Sequence, residues 1–321
     1  EYYATTAVLY KPLHNLDFSY AVDFFHNNMT STVLENTNPH RDTWLHSLSG
    51  RYNYGRFVVV ANLINSNIDE HHRLSPSVML SYMPFANHDF MLRLSAKDAF
   101  RMPTMTEQYY YHFGSKNLRP EKSRQLNLGI TFSSVKPQRP LNMKMTADIY
   151  INKVSDKIVA IPFNMFVWRY LNLTKTVGRG ADLTAELSYA LKTCGQLLLT
   201  ANYSYQRVGM FEVREPFVDN QIAYMPKHSG SATLAWMNRW CNVSTTLSGA
   251  SQQWTNNEHN GEPLPAYSEV AVSVFRTFSL PAAAQLNVSL MIQNLSDKEY
   301  SLVALYPMPG RNIKINVQYK F

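Results

Sequence analysis

The chain has 321 residues, of which 45% are hydrophobic and 17% charged, with 20 Tyr, 16 Phe and a net charge of +7. Soluble chains carry about 25% charged residues, yet the apolar surplus here never forms the run of about 18 residues that a transmembrane helix requires. The basic excess is scattered, with no Lys/Arg block and no recognisable nucleic-acid motif, so a nucleic-acid partner is not expected.

From the amino end, period-2 alternation broken by turn residues divides the chain into about fifteen strands. It opens on a strand-like EYYATTAVLY with no signal peptide in view, so residue 1 is not expected to begin the gene. Strands at about 3–10 and 17–27 flank KPLHNL; in the second, Phe18, Tyr20, Val22 and Phe24 alternate with Asp17, Ser19, Ala21 and Asp23. Those at 42–53 and 56–66 flank NYGR, and those at 75–83 and 89–100 flank PFANHD. Then come 124–134, 142–158, 168–192 and 196–208, followed by 227–237, 241–254, 264–278, 284–295 and 309–321. In 124–132, Leu126, Leu128, Ile130 and Phe132 oppose Gln125, Asn127, Gly129 and Thr131. Phe57 to Leu63 is apolar on both faces and is not oriented by its pattern.

The connections differ by side. KPLHNL, NYGR, PFANHD, KTCG, NRW and SLPAAA are short, whereas 28–41, 101–123, 208–226, 254–263 and 296–308 are long and polar or aromatic. Short turns on one side and long loops on the other characterise transmembrane β-barrels. Two cysteines, Cys194 and Cys241, lie near turns about two strand spacings or ~9.5 Å apart, beyond the roughly 7 Å that a disulfide tolerates.

The last strand reads RNIKINVQYKF. Ile313, Ile315, Val317, Tyr319 and Phe321 share one face; Asn312, Lys314, Asn316, Gln318 and Lys320 share the other. Two readings stay open, the edge of a soluble sandwich and a barrel strand with Ile313, Ile315, Val317 and Tyr319 towards lipid and Asn316 and Gln318 inward. The aromatic ending, Tyr319 and Phe321, resembles the assembly signal of bacterial outer-membrane barrels.

A resemblance to a known family rests on five ordered motifs over about 75–321. The stretch LRLSAKDAFRMPTMTEQYYYHFGSKNLRPEKS supplies Phe100, Arg101, Pro103, Thr104, Glu107 and Tyr109, then Asn117, Leu118, Pro120, Glu121, Lys122 and Ser123. Tyr170 and Asn172 with Gly180 and Asp182, Pro226 with His228, Asn294 through Tyr300, and Pro309, Gly310 and Arg311 follow in order. This resembles the TonB-dependent receptors of Gram-negative outer membranes. Residues 1–74 carry only the alternation.

The resemblance implies an all-β, antiparallel transmembrane β-barrel. The chain would supply about fifteen C-terminal strands of a 22-strand barrel as one segment over 1–321, with the plug domain absent. It implies active uptake of a scarce ligand, a ferric siderophore or haem, with cobalamin as the alternative within the family. A passive porin or structural barrel is the reading from another class. No nucleophile–base–orienter set is legible, so no enzyme and no catalytic cofactor is expected. Implied partners are TonB with its inner-membrane energising complex, the barrel-assembly machinery, lipopolysaccharide, whose phosphates the scattered basic residues could face, and a surface lipoprotein. Counting strands back from Phe321 places residue 1 before strand eight. That gives the expectation of a companion fragment with the plug and seven strands, roughly 250–350 residues long.

Candidate ligand-binding residues are Arg101, Tyr109, Tyr110, Tyr111, His112, Phe113, Trp168, Phe211 and Trp254. The aromatics line either a vestibule or an interfacial girdle. His112 stands where haem receptors of the family place a histidine, and neutral imidazole is a ligand for haem iron; no metal site is otherwise expected. His71 and His72 form a second exposed pair, read as a solvated loop. Arg101 either meets an anionic ligand or ties its loop to a barrel carboxylate. Pro103 stops its strand, Asn117 and Pro120 begin the descent, and Gly180 suggests a bulge or close packing.

Overall fold

The computed structural model describes residues 1–34, 38–86, 89–111, 113–136, 139–162, 167–210, 221–281 and 284–321, and in it the alternating stretches are long antiparallel strands. In chain order they are β1 (Tyr2–Leu13), β2 (Leu16–Asn28), β3 (His40–Tyr54), β4 (Phe57–Ile68), β5 (His71–Tyr82) and β6 (Phe90–Arg101). A short helix α1 (Met105–Tyr109) precedes β7 (Glu121–Ser134), β8 (Leu141–Pro162), β9 (Trp168–Leu191) and β10 (Gly195–Met210). Then come β11 (His228–Met237), β12 (Asn242–Ala250), β13 (Tyr267–Ser279), β14 (Gln285–Gln293), a hairpin of β15 (Ser301–Val303) and β16 (Tyr306–Pro307), and β17 (Asn312–Lys320). Strands β1 to β14 and then β17 form one 15-stranded sheet in sequence order. The expected strands thus match the observed ones one for one; α1 and the β15–β16 hairpin are additions.

The chain divides into two units. The first is Glu1–Gly129 with Ile149–Arg179 and Val208–Asp219, and the second is Ile130–Asp148 with Gly180–Arg207 and Asn220–Phe321.

In the first unit the register aligns like with like. Tyr20 faces Leu48, Leu48 faces Leu63, and Leu63 faces Pro76 across β2 to β5. One step on, Val59 faces Leu80 and Leu80 faces Leu94. Apart from the half-buried Val59 these side chains are exposed, Leu48 at 49% and Leu94 at 43%, so this face suits hydrocarbon rather than water. The opposite face runs Ser19, Ser49, Asn62, Ser77 and Lys97. Strand β4 is thereby oriented: Phe57, Val59, Ala61 and Leu63 join the apolar face, and Val58, Val60 and Ile64 sit among the polar row.

His71 and His72 are not in a loop. Strands β4 and β5 continue until Ile68 pairs His71, leaving a two-residue turn. Asp69 makes this turn in the left-handed region at φ 50. Its carboxylate accepts from the Asp42 N–H while its own N–H donates to Asp42 O, each at 3.1 Å.

The second unit repeats the rule. Leu197, Trp236, Val243, Val274, Leu290 and Ile315 lie opposite one another in succession. The other face is held by neutral hydroxyl and amide pairs: Thr233 with Thr246 at 2.9 Å, Ser244 with Ser273 at 2.7 Å, and Asn202 with Ser231 at 2.8 Å. In β17, Ile313, Ile315, Val317 and Tyr319 pair Ile292, Leu290, Val288 and Leu286, while Asn316 and Gln318 pair Ser289 and Asn287. Cys194 and Cys241 are both free.

A charge on the apolar row should cost about 2–4 kcal/mol at mid-membrane depth. Val317→Arg is therefore expected to reduce the folded band on unheated gels, while Gln318→Arg, on the polar row, leaves it unchanged. Equal assembly of the two variants would show that β17 has no lipid-facing side.

Candidate functional site

In the first unit the stretch after β6 is shaped by charge. Arg101, the last residue of β6, donates from Nε to Glu121 Oε2 at 2.9 Å and from Nη1 to Glu107 Oε2 at 3.0 Å. Of its two expected roles, the geometry supports the tie within the protein. Glu121 opens β7, and its other oxygen accepts the Ile158 N–H of β8 at 2.5 Å. Glu107 also caps α1: its carboxylate accepts the Thr104 N–H at 2.7 Å, and Thr104 Oγ1 accepts the Glu107 N–H at 3.1 Å. This reciprocal pair satisfies two N–H groups that a helix start leaves free.

The family-type residues around it have local tasks. Pro103 is almost wholly buried, and its carbonyl accepts from Arg41 Nη1 at 2.7 Å, while Arg41 Nη2 reaches Gln108 Oε1 at 2.8 Å. Leu118 is buried and Asn117 exposed. Asn172 of β9 closes the loop: its Oδ1 accepts the Arg119 N–H at 2.8 Å, and its Nδ2 donates to Arg119 O at 2.9 Å and Asp156 O at 2.7 Å. Arg119 in turn pairs Asp156 at 2.7 Å. Phe100 and Ser123 are half-buried, Lys122 is exposed and Pro120 half-buried. Gly180 is a half-buried residue of β9, and Gly178 beside it is buried, with Val208 packed close to where a Cβ would stand.

Four candidate aromatics gather on this frame. The rings of Tyr110 and Phe113 lie 5.2 Å apart. Tyr110 forms a β-bridge with Leu34, the Tyr111 N–H donates to Val33 O at 2.8 Å, and the Tyr170 N–H donates to Phe113 O at 3.2 Å. Tyr109 ends α1 and Tyr111 is exposed at 47%. Trp168 opens β9, half-buried, two residues before Tyr170. Gly114 makes the tight fold possible, because a Cβ there would come within 2.7 Å of the Tyr110 nitrogen. His112 and Phe211 lie outside the described residues.

In the second unit Trp254 stacks on His259 at 4.6 Å and 13°. His259 Nε2 lies 2.6 Å from Gln221 O, and Tyr224 N–H donates to Trp254 O at 2.7 Å. Burial raises the Tyr224 phenol above its ordinary range.

A second knot surrounds Asn294, which is 1% exposed. Its Nδ2 donates to Lys298 O at 2.8 Å and Pro309 O at 3.3 Å, and its Oδ1 accepts the Lys298 N–H at 3.0 Å. Its own N–H reaches Glu269, which also accepts from Tyr300. Tyr300 stacks on Tyr267 at 4.5 Å, and burial together with Glu269 pushes its phenol up to about 12. Asp297 Oδ1 accepts the Arg311 N–H at 2.7 Å, which with the guanidinium holds this carboxyl below its usual range. Gly310 leaves room there, since a Cβ would stand 3.0 Å from Asp297 Oδ1.

Sequence reasoning did not single out Arg41, Glu269 or the helix. A signal for the helix was present as Thr104 and Glu107 at capping-box spacing; Arg41 lies 62 residues from its acceptor at Pro103 and carries no local signature.

Residues 5–295 match the family model described as TonB dependent receptor-like, beta-barrel. A curated relative, the vitamin B12 transporter BtuB of Photobacterium profundum, is 23% identical over 235 residues, 71% of this chain and 35% of that protein. The FrpB iron transporter of Neisseria meningitidis (F5-1 variant) superposes with a TM-score of 0.71 at 13% identity, over 99% of this chain and 55% of that one. The copper transporter OprC gives 0.72 at 14%, over 99% and 56%. The siderophore receptor PirA of Acinetobacter baumannii gives 0.66 at 16%, over 99% and 54%. These likenesses establish the fold, and the chain spans about a third of the curated relative and about half of the solved structures.

Arg101→Met should leave Glu107 and Glu121 facing each other unneutralised, at a cost of about 1–3 kcal/mol. Trypsin is expected to cleave within 102–120 faster than in wild type, with strand content by circular dichroism unchanged. Asn294→Ala removes the centre of the second knot, and cleavage at Lys298 or Arg311 should rise in the same way. Unaltered digestion of either variant would show that the knot does not hold its loop.

Proposed function

From the premise that the chain belongs to the TonB-dependent receptor β-barrel family, we propose that it forms the wall and outer vestibule of a transporter that takes up a scarce iron complex, a ferric siderophore or haem. The barrels of this family lie in the outer membrane, and the chain's exposed apolar rows are what such a barrel presents to lipid. The long connections then lie outside the cell and the short turns in the periplasm.

The observation that carries the reading is the aromatic array on a braced loop. Tyr109, Tyr110, Tyr111 and Phe113 project from a segment held by Arg101, Glu107 and Glu121, so a bulky ligand meets a preformed apolar surface and less binding energy goes into ordering it. With its charge engaged by two carboxylates, Arg101 positions this surface rather than pairing with a ligand. Trp168, which opens β9 two residues before the Tyr170 whose N–H bonds Phe113 O, would extend the surface. His112, flanked by Tyr111 and Phe113, is the residue to supply an imidazole if the cargo is haem.

Binding energy alone does not move cargo through a filled barrel. The reading therefore includes a plug domain and TonB with its inner-membrane complex, coupled to the proton gradient, as the source of work. Assembly would use the barrel machinery, with Tyr319 and Phe321 as its signal. Cobalamin is a second reading, favoured by the match to the vitamin B12 transporter.

Growth of a strain lacking its other iron receptors tests this, with haemin, a ferric catecholate or a ferric hydroxamate as the only iron source. Growth on one of them should need both this gene and TonB. Tyr110→Ala with Phe113→Ala should raise the concentration required about tenfold, a loss of ~1.4 kcal/mol, with assembly unchanged. A Soret band that disappears in His112→Ala would identify haem. Dependence on cobalamin alone would select the second reading. An open, ion-conducting pore with TonB-independent uptake would make the protein a passive porin.

A further inference from the structure

Two connections of the first unit meet at the aromatic segment. One runs from α1 towards β7. The other joins β2 to β3 and makes a turn of its own: the Leu34 N–H donates to Ser31 O at 3.2 Å, and the Val33 N–H donates to Ser31 Oγ at 3.4 Å. At the foot of this second connection the Met29 N–H donates to Pro39 O at 3.0 Å.

Where the two connections meet, they pair as strands do. Leu34 forms an antiparallel bridge with Tyr110, and the Tyr111 N–H donates to Val33 O at 2.8 Å. Antiparallel pairing sets Val33 directly opposite Tyr111, and successive residues of an extended chain point to opposite sides. Leu34 and Tyr110 therefore share one side, and Val33 and Tyr111 share the other. Burial follows the same division. Leu34 is buried and Tyr110 half-buried, whereas Val33 is 36% and Tyr111 47% exposed. Side chains directly opposed across a ladder stand about 5 Å apart at Cβ, so Val33 and Tyr111 present one apolar patch to solvent. A β-branched side chain is stiff at χ1, so contact with a ligand costs it little ordering.

A guanidinium holds the other end of the arrangement. Arg41, half-buried near the start of β3, donates to Pro103 O at 2.7 Å and to Gln108 Oε1 at 2.8 Å. Its Nε lies 3.7 Å from Asp69 Oδ2 in the β4–β5 turn. One side chain thus joins the end of the β2–β3 connection to the β4–β5 turn and to α1, immediately before Tyr110. The two connections are tied twice, by the bridge and by Arg41.

We propose that Val33 is a specificity-determining residue that contacts cargo together with Tyr111, and that Arg41 is the positioning residue that sets the pair. This rests on the uptake reading given above. An aliphatic side chain beside an aromatic ring, with no charge of its own, fits an aromatic part of the cargo, a catechol ring or the edge of a porphyrin.

Tryptophan fluorescence of the purified full receptor, titrated with haemin, a ferric catecholate and a ferric hydroxamate, tests this. Haemin or the catecholate should quench it saturably. Val33→Asp should raise the half-saturating concentration about tenfold with the final quench unchanged, and its folded band on unheated gels should match wild type. Thr32→Asp, which brings the same charge to the neighbouring position, should leave half-saturation as in wild type. The effects of Val33→Ala and Tyr111→Ala should fall short of additive in the double variant, because both side chains meet one group of the cargo. Arg41→Met should raise half-saturation and, without cargo, speed chymotryptic cleavage at Tyr110 or Tyr111, and Arg41→Lys should restore part of both. The proposal is overturned if Val33→Asp binds like wild type, if Thr32→Asp weakens binding as much, or if Arg41→Met changes neither readout. Wild type that binds the hydroxamate alone overturns it and leaves the uptake reading standing; wild type that binds none of the three overturns both.

Discussion

Hydrocarbon offers no hydrogen-bond partner, so every backbone N–H and C=O that enters it must be satisfied by the protein itself. The strand ladders of this chain follow from that requirement. Each strand of the sheet is paired with its sequence neighbour, and the register sets apolar side chains opposite apolar ones across β2 to β5 and again across β10 to β17. A one-residue slip would turn every apolar row over to the polar face. Backbone pairing and side-chain segregation thus enforce the same register, and neither needs a packed hydrocarbon core. Among the described residues few apolar side chains are buried, Leu118, Ile158 and Val208 being three of them.

Where the ladder stops, the backbone must find other partners. The long connections find them in a few polar side chains that each serve several groups. Glu121 joins β6 to β8 through Arg101 and the Ile158 N–H, Asn172 takes both backbone groups of Arg119, and Asn294 fixes Lys298 and Pro309. These residues are the ones that make the chain resemble its family. Their chemistry is positional, setting how the loops leave the sheet; in the first unit Tyr110 and Phe113 follow the segment that Arg101, Glu107 and Glu121 hold.

Strand existence and facing were legible because a half-buried strand writes its environment into alternate residues. Leu126, Leu128 and Ile130, or Ile313, Ile315 and Val317, could be assigned without a partner strand in view. Phe57 to Leu63 could not, because both of its faces are apolar, and only the pairing of Val59 with Leu80 and of Leu63 with Pro76 oriented it. His71 and His72 read as loop because His, Glu and Asp in succession imitate a turn. The ladder from Ile68 to His71 and the left-handed Asp69 carried the strands further than composition suggested.

The candidate site divides in the same way. Sequence by itself determined the strands, their number, the facing of most of them and the motifs, since these depend on near neighbours and on a period of two. Tertiary structure decided what the motifs do. That Arg101 is spent on Glu107 and Glu121, that Arg41 supports Pro103 from 62 positions away, and that Asp98 pairs both Arg73 and Arg124 all depend on register between separate strands. Register is set by the summed pairing of whole strands, so a charge partner many residues distant leaves no pattern in the sequence beside either residue.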